Sequence, residues 1–184
     1  NSSNWNLDTD IRKSPLWPYC NQSAAIWRCP ADTSSVKYGD ITWPRVRSFA
    51  MNFWLGGNLG TPPGGFIARA WDGKVNVRYD DLIDPGPSGT FVFVDMREDS
   101  INTGSFLVEM TGYPNQPELL WFNYDFPASY HNRAAGLSFA DGHSEIKRWR
   151  DPRTMPPLKK GVPLDPSVVG SPNNPDLIWL QQRA

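Results

Sequence analysis

The chain of 184 residues is 39% hydrophobic and 20% charged, with a formal net charge of −1. That length buries a real core within one compact domain, and the near-neutral charge speaks against nucleic acid or an anionic membrane as a partner. Nine Trp, nine Phe and six Tyr exclude global disorder, while 18 Pro and 15 Gly predict short elements joined by many loops.

In chain order, "SPLWPYC" predicts a short helical turn, with Ser14 as its cap and Pro15 at its first position. "AAIWRCPAD" ends in Pro30, which stops a regular element. "RVRSFAMNFWLGG" (45–57) is aromatic and branched, bounded by Pro44 and Gly56-Gly57, and reads as extended; "NLGTPPGG" (58–65) reads as a loop. "KVNVRYDDLIDPGPSG" alternates and then turns. "GTFVFVD" (89–95) is the clearest strand, with Phe91 and Phe93 facing one way and Val92 and Val94 the other. "SFLVEM" (105–110) is its expected partner.

"AGLSFA" and "HSEIKRW" flank Asp141-Gly142, the pair that favours a two-residue type I′ hairpin turn with positive φ at both positions. The final 150–184 is Pro-rich and predicted to wrap the surface, ending in a short helix capped by Asn174, begun by Pro175 and apolar at Leu177 and Leu180. The expected architecture is α+β: an antiparallel sheet of about four to six strands, heavily wrapped in loops, in one domain over 1–184. No run approaches 18 apolar residues, so nothing here reads as a transmembrane helix.

Charge is unevenly spread. Residues 76–125 hold nine acids against two bases, and 133–160 hold seven bases against three acids, which suits either solvated faces or head-to-tail packing of copies. Cys20 and Cys29 fit neither a four-ligand zinc knuckle nor a CxxC redox pair. In an extracytoplasmic protein they would close a small disulfide loop that adds ~2–3 kcal/mol; the alternative is two buried thiols.

His131, nine intervening residues and then Asp141-Gly142 form a spaced motif. With "LWPYC", "WRCPAD" (27–32), "RVRSFAMN" (45–52), "FVFVD" with "EDSIN" (91–102), "LSFADGHSEIKRW" and "DLIWLQQR", it resembles prepilin-type, pseudopilin-like proteins. The similar segments run in order from Leu16 to Arg183. The resemblance implies a pilin-like head of a type II secretion or type IV pilus-like filament, partnered by other pilin-like subunits. It further implies an extracytoplasmic location and attachment to the membrane only through an N-terminal apolar helix, which this sequence lacks. Cys20 departs from the family's pattern.

For the sites, the motif residues His131, Asp141 and Gly142 read first as architecture: Gly142 and Asp141 make the turn, and His131 fixes the hairpin base through a carbonyl or carboxylate. His143 is expected to face solvent. A bound calcium ion, as in major pseudopilins, would draw oxygen ligands from Asp95, Glu98, Asp99 and Asp141, with Asp125 as a further donor. A Ser–His–Asp relay built on His131 with Asp95 or Asp141 is open, although no nucleophile elbow, HExxH, P-loop or GxGxxG occurs.

A rival class is a carbohydrate-active module. Trp5, Trp43, Trp54, Trp71 and Trp121 would line a polysaccharide groove, and Asp95, Glu98, Glu109 or Asp141 would supply the paired carboxylates of a glycoside hydrolase. Otherwise the tryptophans build the core of a loop-rich domain.

Overall fold

The computed structural model describes residues 2–56, 75–102, 104–122, 124–159, 161–162, 164 and 169–184. The loop expected at 58–65 and Trp71 lie outside them. Among the described residues the strands are β1 (Ser35–Tyr38), β2 (Ile41–Pro44), β3 (Phe49–Asn52), β4 (Phe91–Asp95), β5 (Ser105–Phe106), β6 (Trp121–Phe122), β7 (Ala134–Phe139), β8 (Ser144–Arg148) and β9 (Val169–Gly170). One α-helix, α1 (Pro175–Gln181), and several single 3₁₀ turns complete the set, which is an α+β, loop-rich architecture. No helix among these residues is long and apolar enough to cross a membrane.

Five strands form the main sheet in the order β5-β3-β4-β7-β8. Every pairing in it is antiparallel except β3 with β5, which is parallel. The strand expected over 105–110 as the partner of β4 is shorter, Ser105–Phe106, and pairs with β3 instead. The amide of Leu107 donates to the Asp125 carboxylate at 2.7 Å, which diverts it from the ladder. Two smaller pairs, β1-β2 and β6-β9, lie outside this sheet.

The alternation expected in β4 is broken. A bulge between Phe91 and Phe93 shifts the register against β7, so Phe91 and Val94 both reach the core while Val92 and Phe93 are half-buried. The β7–β8 hairpin also differs from a two-residue turn. Phe139 pairs with His143, the amide of Gly142 donates to the Phe139 carbonyl, and only Gly142 takes a positive φ, +94°. A three-residue connection with the glycine in the left-handed position replaces the type I′ turn, so Asp141 keeps an ordinary backbone.

One sheet face carries Ala50, Phe91, Val94, Leu137 and Phe139 against Trp54, Phe106, Trp149, Leu177 and Leu180 in the core cluster. Each such side chain contributes roughly 1.5–3 kcal/mol of transfer free energy. Trp54 and Trp149 are buried whole because their indole N–H groups donate to the carbonyls of Val108 and Ala128, at 2.9 and 2.8 Å. Trp54 is thus a core residue and lines no groove.

The described residues of the tail bond back onto the rest of the fold. Arg97 donates to the Pro156 carbonyl, Leu164 to that of Asp99 and Ser171 to that of Leu120. The Asn174 side chain accepts from the amides of Asp176 and Leu177, Pro175 follows it, and Leu177 and Leu180 turn inward.

Candidate functional site

Asp95 ends β4 with no exposed surface, and its main chain is fixed by the amide of Ala128 donating to its carbonyl at 2.7 Å. Two other segments bring side chains to it. Cys29 opens a turn in which the Asp32 amide donates to the Cys29 carbonyl, while the Arg28 guanidinium grips the Asp32 carbonyl and the Ser48 hydroxyl donates to the Asp32 carboxylate. His131 sits in the turn before β7, where Asn132 and Arg133 both hold left-handed φ of 55° and 65°. Side chains there carry about 1–3 kcal/mol of strain each, sustained by the surrounding bonds.

His131 Nε2 lies 3.3 Å from Cys29 Sγ and 3.5 Å from Asp95 Oδ2. The ligand-type atoms of the three residues all lie within 4.8 Å of one another. The imidazole is about one-third exposed, at 34%, so solvent reaches the cluster on that side only. Both Asp95 carboxylate oxygens are buried without a hydrogen-bond donor of good geometry. Burial pushes the Asp95 carboxyl up to about 7, against a lowering by the Cys29 thiol and with a further rise from Asp32. Burial also raises the Cys29 thiol, which the amides of Ala31 and Asp32 partly offset.

A relay needs the carboxylate on one ring nitrogen and the nucleophile on the other. Here sulfur and carboxylate face the same nitrogen, so the three groups converge on a point instead of forming a chain. The His131 amide donates to the Ala134 carbonyl at the hairpin base, while its ring faces Cys29 and Asp95, which lie outside the hairpin.

The other predicted site residues separate. Asp99 forms a buried two-pronged pair with Arg97, at 2.7 and 2.8 Å. Glu98 lies beside them, its amide donating to the Tyr130 hydroxyl. Asp125 takes the Leu107 amide and the Asn102 side chain; Glu109 takes the amide and hydroxyl of Thr111. Asp141 stands at the hairpin tip and holds His143 Nδ1 at 2.6 Å, with the His143 ring stacked on Phe139. His143 is exposed, as expected. Among the described residues, the group of three ligand-type side chains that comes together is Cys29, Asp95 and His131, and Glu98, Asp99 and Asp141 are not part of it. Cys20 and Cys29 are free thiols, not the expected bridge: Cys29 turns inward to His131 while Cys20 lines an open groove.

That groove lies on the far side of the main sheet. Phe49, Phe93, Gly136 and Ile146 floor it, Leu16, Ile26 and Trp27 wall it, and its volume is about 510 Å³. Ile146 is 68% exposed, Ile26 54% and Leu16 41%, a concentration of bare apolar surface. Trp5 and Trp43 stack at 5.0 Å, and Trp5 stacks on Tyr38 at 5.7 Å, beside the β1–β2 hairpin. Trp121 is half-buried in β6.

Reading the sequence alone marks Asp95 and His131 as site residues but gives Cys29 only a structural bond. No family model, curated protein or solved structure matches the chain.

Proposed function

We propose that this chain is the globular head of a pilin-like structural subunit, a non-enzymatic part of a type II secretion or type IV pilus-like filament. The observation that carries the reading is the open sheet face. A sheet covered on one side by its own core and left apolar on the other is built to bed a further element. Gly136 on β7 lacks a side chain at the groove floor, so an apolar helix can approach the backbone closely there. The ordered series of motifs that resembles pseudopilins supports the same reading and supplies the occupant, the apolar stem helix of such subunits.

The gene tests it. The reading frame upstream is expected to encode a basic leader followed by some twenty apolar residues with Glu at the fifth mature position; a plain secretion signal there would sink the proposal. In the assembled subunit, Ile146→Asp is expected to abolish incorporation into filaments while leaving the melting temperature of the isolated head within about 2 °C, because Ile146 contributes almost no core burial.

A glycan-binding head is the second reading, favoured by the Trp5–Trp43–Tyr38 stack, in which Tyr38 is 68% exposed. Retention on polysaccharide columns that is lost on Tyr38→Ala would replace the structural reading with this one.

A further inference from the structure

We propose that Cys29 Sγ, the Asp95 carboxylate and His131 Nε2 bind one divalent transition-metal ion of the zinc class, with the fourth position open to water. The geometry carries the assignment. Tetrahedral zinc, with bonds of about 2.3 Å to sulfur and 2.0–2.1 Å to nitrogen or oxygen, sets its sulfur and nitrogen ligands about 3.5 Å apart and its nitrogen and oxygen ligands about 3.3 Å apart. The corresponding separations here are 3.3 and 3.5 Å. Those two separations each lie within a few tenths of an ångström of ideal coordination, and all three donor atoms lie within 4.8 Å of one another, gathered about one point.

Independently, Asp95 points to a ligand. It is fully buried, and neither oxygen has a hydrogen-bond donor of good geometry. Beside it stand only the other two donors of the site, the Cys29 thiol and His131 Nε2, an arrangement that is costly for a carboxylate unless something else neutralises it. A divalent cation does so: one thiolate, one carboxylate and a neutral imidazole bring the site to zero net charge.

Donor softness selects the metal class. Sulfur with imidazole suits zinc, cobalt or ferrous iron and rejects calcium and magnesium. The partial exposure of the His131 ring leaves room for water at the fourth position, whereas a closed structural site would have a fourth protein ligand. The ion would join three segments far apart in the chain, with Cys29 and His131 separated by 102 positions, and so clamp the N-terminal wrap to the end of β4.

The test uses the full chain, stripped with chelator and titrated with Co²⁺ and then Zn²⁺. One equivalent of Co²⁺ is expected to give visible tetrahedral bands and a thiolate-to-cobalt charge-transfer band, and Zn²⁺ should bleach both. Cys29→Ser should remove the charge-transfer band. Cys29→Ser, Asp95→Asn and His131→Ala should each weaken Zn²⁺ binding more than about 100-fold, beyond the loss typical of outer-shell changes. Cys20→Ser should change nothing. Absence of saturable Co²⁺ uptake, or a charge-transfer band that follows Cys20 and not Cys29, overturns the proposal. Should Cys29→Ser fail to fold, the wild-type chain and His131→Ala decide the matter. Zn²⁺ must raise the melting temperature of the first in proportion to the logarithm of its free concentration and leave the second unmoved; equal responses overturn the site.

Discussion

Asp176→Ala is expected to lower the unfolding free energy by about 3–5 kcal/mol, the cost of leaving several buried donors unpaired. Asp176 is 1% exposed and accepts from the amide of Arg150 at 2.9 Å, the amide of Asp151 at 2.8 Å and the hydroxyl of Thr154 at 2.9 Å. Asn174 joins the same network by donating to the Thr154 hydroxyl and the Ser171 hydroxyl, at 3.1 and 2.9 Å. These bonds hold the chain leaving β8 against the start of α1. They keep Trp149 in the core, where its ring meets Trp179 edge-on at 6.3 Å. A loss of that size is a large fraction of the 5–15 kcal/mol typical of a domain. Urea unfolding measures it, and Asp176→Asn should recover part because an amide oxygen still accepts. A loss below 1 kcal/mol for the alanine variant would show that water replaces the carboxylate.

The second large effect is on pH. Burial pushes the Asp125 carboxyl up to about 7, although the Leu107 amide and the Asn102 side chain pull it down. Its pKa in the unfolded chain is near 3.8, so between about pH 4 and pH 7 the unfolded state loses this proton while the folded state keeps it. The stability it confers is complete below the unfolded value and disappears as pH rises through about 7, a total of about 4 kcal/mol at 1.36 kcal/mol per unit. Unfolding free energy should therefore fall from pH 4.5 to 7.5. Asp125→Asn should flatten that slope by up to one proton, whatever constant offset its changed hydrogen bonds introduce. A slope identical in the two chains would show that Asp125 is ionised in the fold throughout. Asp151 acts in the opposite sense, since its bond with Arg153 holds the carboxyl low and that contribution is lost only in acid.

Elements set by local chemistry were legible in the residues. Asn174-Pro175 caps α1, the aromatic and branched run 91–95 is a strand, and the two arms about Asp141-Gly142 are a hairpin. The β1–β2 hairpin carries an equally local sign, a Gly39-Asp40 pair between Tyr38 and Ile41, with Gly39 at a φ of +61°. The bulge in β4 and the parallel partnering of β5 left no such trace. They follow from which neighbour claims each backbone group: Asn52 Nδ2 donates to the Phe91 carbonyl, and Asp125 takes the Leu107 amide.

By itself the sequence determined the class of fold, the Asn174 cap and the turn glycine, because each depends on residues within a few positions of one another. The cap it placed at Ser14 lies elsewhere, since the 3₁₀ turn runs Trp17–Cys20 with Leu16 at its cap and the Ser14 hydroxyl takes only the Leu16 amide. Only the tertiary structure decided that Cys29 faces His131 and not Cys20, that Asp99 is consumed by Arg97, and that Asp95 stands buried without a donor. Those outcomes depend on which distant segments meet and on how much water is left between them. Short-range propensity carries no record of either.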